Sequence, residues 1–138
     1  MPTRTFHHVD LVVTDIERSL AFYRGLLGPL GWERLGTIVG ERGETVWYLG
    51  GLGAAVGLRE RQSDSRSGTY DRYALGVHHV AFAAASRAVV DERHDWLVST
   101  GAAIESAPKE YDYIPGYYAV FFYDPDGLKF ELVHVPEG

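Results

Sequence analysis

Two stretches of the chain alternate apolar and polar residues with the period of a half-buried strand, and each is followed by apolar residues at helical spacing. In the first, Val9, Leu11 and Val13 form one row and His8, Asp10 and Val12 the other, because successive strand side chains point to opposite faces. Asp15 then predicts an N-cap for a helix whose Ile16, Leu20, Tyr23 and Leu27 share a face, ending near Gly28-Pro29. In the second stretch Val80 and Phe82 form the apolar row, opposite His79 and Ala81. Ser86 predicts the cap of the following helix, with a stripe of Val89, Val90, Arg93, Trp96 and Leu97 closed at Gly101. The two stretches are an internal repeat: His7-His8-Val9-Asp10-Leu11-Val12-Val13 recurs as His78-His79-Val80-Ala81-Phe82-Ala83-Ala84, shifted by 71 residues.

Each helix is followed by a glycine and a strand-like piece, Gly31 to Leu35 and Gly101 to Glu105, and each half ends in a hairpin pattern. The first hairpin is Thr45 to Leu49, a turn region at Gly50-Gly51, and Ala54 to Arg59; the second is Tyr117 to Tyr123, a turn at Asp124 to Gly127, and Leu128 to Val135. The expected fold is α+β, two βαβββ modules forming a cupped mixed sheet in a single domain over 1–138. Module 1 covers about 5–60 and module 2 about 75–136, with a polar, mobile linker over 61–74. Lys109 to Gly116 reads as a long binding loop containing Tyr111, Tyr113 and Pro115.

Composition narrows the chemistry. A net charge of −6 argues against nucleic acid as a partner, and no apolar run is long enough to span a membrane. The chain is expected to be cytoplasmic. With no cysteine, any metal must be held by His, Asp or Glu. No glycine-rich loop opens a helix, so a nucleotide cofactor is not indicated.

Strand parity then selects residues. His8 and His79 occupy equivalent positions on the face away from the helices, and Lys129, Glu131 and Val133 have matching parity on the last strand, opposite Leu128, Phe130 and Leu132. Two imidazoles and a carboxylate suit a divalent ion with positions left open, although a strand His is as commonly a hydrogen-bonded residue. Asp10 shares the face of His8 and suits a role orienting a ligand or contacting substrate. Glu60 stands 71 residues before Glu131, but without a bulge it shares the helix-facing side of Val56 and Leu58, leaving Gly57 and Arg59 on the cavity side. A turn at Asp124 to Gly127 sets Val120 across from Glu131 and Phe122 across from Lys129, which puts Tyr118 on the cavity face as a substrate contact or proton donor. Trp47 or Tyr48 matches it from the first hairpin, and Arg59 suits an anionic substrate.

These residues resemble the vicinal oxygen chelate superfamily, which includes glyoxalase I, extradiol dioxygenases, fosfomycin-resistance enzymes and bleomycin-resistance proteins. The carriers are His8 to Asp15 followed by Ser19-Leu20-Ala21-Phe22-Tyr23, then Gly76 to Phe82, and Asp124-Pro125-Asp126-Gly127-Leu128-Lys129-Phe130-Glu131-Leu132. Gly28 to Trp32 and Pro115 to Phe122 are also similar to a small bacterial glyoxalase-like subgroup. The resemblance implies paired modules around a divalent metal (Fe, Zn, Ni or Mn) held by His8, His79 and Glu131. The fourth ligand usual in glyoxalase I falls on Gly57 or Arg59, a departure that points toward dioxygenase or transferase chemistry rather than glyoxalase I. The implied protein is a metal-dependent lyase or isomerase, dioxygenase or transferase chelating a small oxygenated substrate, with Tyr118 or Glu60 moving protons and Asp10, Tyr48, Arg59 and Phe122 binding substrate. A homodimer is implied, with His8 supplied either within the chain or by a neighbour. The alternative is a metal-independent sequestration protein of the bleomycin-resistance type.

Overall fold

The computed structural model describes residues 6–62 and 68–136. Two compact units, Met1–Ser67 and Gly68–Gly138, divide the chain inside the expected linker. The first contains β1 (His8–Val13), α1 (Ile16–Leu27), β2 (Arg34–Val39), β3 (Thr45–Gly51) and β4 (Ala54–Glu60); the second contains β5 (Val80–Ala83), α2 (Arg87–Ser99), β6 (Ile104–Tyr111), β7 (Tyr117–Tyr123) and β8 (Lys129–His134). The βαβββ order therefore occurs twice. Each unit forms one mixed four-stranded sheet, in the orders β1-β4-β3-β2 and β5-β8-β7-β6. The first and last strands of a unit run parallel and the others antiparallel.

The helices start where the sequence says they should. The Asp15 carboxylate accepts from the Arg18 amide at 3.1 Å, and the Ser86 side chain accepts from the Val89 amide at 3.2 Å, each satisfying one of the unpaired donors of a first turn. Ser86→Ala is expected to destabilise the protein by about 1 kcal/mol, checked by urea unfolding; an unchanged midpoint would show that solvent replaces the cap. Tyr23, Leu26 and Leu27 of α1 and Val90 and Leu97 of α2 are fully buried. They pack on the row predicted by parity: Val13, Val56 and Leu58 in the first unit, Phe82, Phe130 and Leu132 in the second.

Several boundaries differ from the sequence reading. The first hairpin turns at Leu52-Gly53, both at positive φ (54° and 83°), as a two-residue loop requires; Gly50 and Gly51 belong to β3. Gly31 has a φ of 103° and closes a 3₁₀ turn over Gly28–Leu30, so β2 begins only at Arg34. Strand β6 extends to Tyr111, which shortens the expected loop to residues 112–116. Its Pro108 is accommodated because β6 lies at a sheet edge and its register shifts twice against β7. The linker is not uniformly loose: Arg72 donates to Glu105 and Tyr123, and Tyr70 donates to the Val77 carbonyl. Residues 63–67 of the linker lie outside the described residues.

Candidate functional site

The second unit brings His79 and Glu131 together. Glu131 sits mid-strand on β8, opposite Ala81 on one side and Phe121 on the other. His79, two residues before Ala81, shares its face, and the small Ala81 side chain leaves room between them. Glu131 is only 3% exposed, so its carboxylate must be paired. The His79 Nε2 lies 2.8 Å from Oε1, and the Tyr117 hydroxyl donates to Oε2 at 2.6 Å. Burial, followed by that bond to Glu131, pushes the Tyr117 phenol far above its ordinary range, so it remains a donor at any physiological pH. On its other side, His79 Nδ1 lies 2.8 Å from His78 Nδ1.

This pair opens onto a cavity of about 350 Å³ lined by Tyr111, Tyr117, Phe121 and Lys129 as well. Tyr111 and Tyr113 stack with centroids 5.3 Å apart, and the Phe121 ring meets the His79 ring edge-on at 6.1 Å. Lys129 Nζ lies 2.7 Å from Glu105 Oε2. The bond from Lys129, then that from Tyr123, holds the Glu105 carboxyl below its usual range.

The first unit builds a different cluster from the equivalent face. Asp10 accepts from Arg59 Nη2 at 2.6 Å and from the Tyr48 hydroxyl at 3.0 Å, so the structure brings these three predicted substrate-binding residues together. His8 Nε2 is 4.0 Å from Asp10 Oδ1, and its ring meets Tyr48 edge-on at 5.7 Å. Like His79, it has a doublet partner: the Nδ1 atoms of His7 and His8 are 2.8 Å apart. Burial, then the bond to Asp10, raises the Tyr48 phenol. Glu44 accepts from Arg59 at 3.4 Å, and backbone N–H bonds, first that of Arg42, lower its carboxyl.

The two units are not copies at this level. Asp10 pairs with Gly57 across β1 and β4, whereas Ala81 pairs with Glu131 across β5 and β8. The rung is equivalent, but the carboxylate has changed strands. Gly57, rather than Arg59, therefore occupies the rung position of Glu131. A Cβ on Gly57 would lie 2.2 Å from Asp10 Oδ1 and 2.7 Å from Tyr48 Cε1, so Asp10 fills the space that a side chain at position 57 would need.

Three predicted residues lie elsewhere. The pairing of β7 with β8 places Phe121, not Val120, opposite Glu131, and Tyr123, not Phe122, opposite Lys129. Tyr118 consequently lies on the helix side, where its hydroxyl donates to Asp91 of α2 at 2.6 Å, and Phe122 is fully buried in the core. The hairpin accounts for the shift. Asp124 and Leu128 are joined by a 2.9 Å backbone bond, and Gly127 has a φ of 88°, leaving a three-residue loop that ends in a left-handed glycine. Reading Gly127 as that residue would have identified Tyr117 from sequence. Glu60 also faces the helix side, as parity required of a strand without a bulge, and its Oε2 accepts from the Ile16 amide at the start of α1 at 3.1 Å. Among the described residues, no three His, Asp or Glu side chains gather into one group able to hold an ion; His79 and Glu131 meet, and His8 stands in the first unit with Asp10. No helix is long and apolar enough to cross a membrane among the described residues.

The repeated βαβββ order and the histidine doublets coincide with a profile match over residues 5–132 to the glyoxalase/bleomycin resistance protein/dioxygenase superfamily. The chain belongs to this superfamily. It is 30% identical over 131 residues to the uncharacterized protein YqjT of Bacillus subtilis, covering 92% of this chain and 96% of that one. The fold matches the glyoxylase/bleomycin resistance protein/dioxygenase domain from Frankia sp. EAN1pec with a TM-score of 0.81 at 24% identity, over 99% and 96% of the two chains. It also matches the fosfomycin resistance protein FosX of Listeria monocytogenes, crystallised with Mn(II) and sulfate, with a TM-score of 0.66 at 19% identity over 98% and 95%.

Proposed function

We propose that this superfamily member is a metal-dependent enzyme acting on a small oxygenated substrate, with a divalent ion held by His79 and Glu131 and by a His8, of this chain or of a neighbour, as third ligand. The observation that carries this reading is the buried Glu131 carboxylate against the His79 imidazole. Its Oε1 lies 2.8 Å from Nε2, so a carboxylate oxygen and an imidazole nitrogen, both donor types that divalent ions take, stand side by side. Two imidazoles and one carboxylate fit Fe, Zn, Ni or Mn and leave positions open. When bound, the ion would supply Lewis acidity toward two vicinal substrate oxygens.

The chain's own residues arrange the rest. With Nε2 of His79 committed to an ion, its proton resides on Nδ1 and is donated to His78, which fixes the tautomer and the ring orientation. The His7–His8 doublet repeats this device. Tyr117 donates to Oε2 of Glu131, so Oε1, beside His79, is the atom that the carboxylate would offer to an ion. Gly57 at the equivalent rung adds no fourth ligand, which favours dioxygenase or transferase chemistry over that of glyoxalase I.

Elemental analysis of protein purified without chelator, beside His8→Ala, His79→Ala and Glu131→Ala, tests the proposal. The expected result is about one divalent ion per chain, lost in each variant. Mn(II) heads the reconstitution series because the FosX structure contains it. Failure to bind Mn, Fe, Zn or Ni would remove the enzyme reading and leave metal-free ligand sequestration.

A further inference from the structure

The cavity of the second unit contains a cation that this metal chemistry leaves unused. Lys129 precedes Glu131 by two residues on β8 and shares its face. Its side chain is only 11% exposed and lines the same cavity as His79 and Glu131. The ammonium bonds to Glu105 at 2.7 Å, yet Glu105 is not its private counter-ion. The other oxygen of Glu105 accepts from Arg72 at 3.1 Å and from the Tyr123 hydroxyl at 2.5 Å. Two cations thus share one carboxylate, and Glu105 neutralises Lys129 only in part. Glu131, the other carboxylate lining the cavity, is bonded instead to His79 and Tyr117. An ammonium has three N–H donors, and Glu105 takes one of them. A largely buried ammonium with donors to spare calls for an anion.

The walls specify what the anion is attached to. Tyr111, Tyr117 and Phe121 present aromatic surface around Lys129, whose Nζ lies 4.8 Å from the Phe121 centroid. Tyr113 stacks on Tyr111 with an interplanar angle of 6° and lines the cavity with it, so the pair adds a flat aromatic wall. A cavity of about 350 Å³ is at the small end of ligand sites.

We propose that this cavity takes a small planar carboxylate, its anionic group seated on Lys129 and its ring or conjugated body against Tyr111, Tyr117 and Phe121. The proposal deepens the metal-enzyme reading by naming the substrate class, and rests on that reading only for the reaction; the anion seat and aromatic wall involve no metal.

The test is calorimetric titration of the full chain, both chelator-treated and Mn(II)-loaded, with benzoate, its neutral isostere benzamide, and acetate. Benzoate is expected to bind about tenfold more tightly than benzamide, through the charge, and about tenfold more tightly than acetate, through the ring. Added salt should weaken benzoate and leave benzamide unaffected. Lys129→Gln is expected to erase the preference for benzoate over benzamide, whereas Lys129→Arg retains it. Equal binding of benzoate and benzamide by the unaltered protein, no binding of benzoate, or a preference that survives Lys129→Gln would each overturn the proposal. An anion preference without metal binding would uphold the carboxylate site and remove the metal reading. Metal binding without that preference would do the reverse.

Discussion

Replacing Glu131 by Gln is expected to weaken divalent-metal binding by more than about 100-fold, a larger loss than the 10- to 100-fold typical of removing a partner outside the ligand shell. The substitution removes the only anionic ligand of the proposed site while keeping its shape. Glu131 is 3% exposed and accepts from two donors. A Gln amide can still accept from one of them and can donate to the other once His79 changes tautomer or the Tyr117 hydroxyl turns. Stability should therefore fall less than in Glu131→Ala, which strands both donors and is expected to cost about 1–3 kcal/mol. Competition against a chromogenic chelator measures the first effect, and urea unfolding of the metal-free protein the second. Gln binding metal as tightly as Glu would sink the ligand assignment. Glu131→Ala as stable as the unaltered protein would show that water satisfies His79 and Tyr117.

The difference between what could be read from the chain and what could not follows from the range of the interactions. Parity along one strand is local, so the faces of His8, Asp10, His79 and Glu131 were legible from alternation. Caps at Asp15 and Ser86 are local as well. The Tyr117–Glu131 bond depends on the register between two strands, and one residue in the hairpin loop decides whether Tyr117 or Tyr118 shares the face of Glu131. Glu60 shows the limit of repeat arithmetic. The offset of 71 residues holds for the histidines, but pairing aligns Glu131 with Gly57 and leaves Glu60 to cap α1. The Asp10–Tyr48–Arg59 cluster joins three strands. Its members were individually legible, but the reason they meet is the glycine at position 57.

Gly51→Ala is expected to destabilise the protein by about 2–3 kcal/mol, near the upper part of the usual range for overpacking. Gly50-Gly51 reads in the sequence as a turn, where glycine would serve φ. In the structure the turn lies at Leu52-Gly53, and Gly51 ends β3 without a positive φ. Its glycine has a different cause: an added Cβ would lie 2.2 Å from the Gly31 carbonyl oxygen and 2.8 Å from Trp32 Cα. Both are backbone atoms, so no side chain can rotate away. That backbone is itself pinned, because Gly31 N bonds to Gly28 O at 2.9 Å and Trp32 N to Leu27 O at 3.1 Å. Relief must come from moving β3, which carries Tyr48 and pairs with the strand that carries Arg59; the Asp10 cluster should loosen along with the fold. Gly36→Ala is the control. It lies in β2 without a positive φ, nothing lies within 4 Å of the added Cβ, and it is expected to gain about 0.4–1 kcal/mol from a less flexible unfolded chain. Urea midpoints moving in opposite directions for these two glycines would confirm that close backbone approach, rather than turn conformation, fixes position 51. A midpoint for Gly51→Ala equal to that of the unaltered protein would show that the 3₁₀ turn yields.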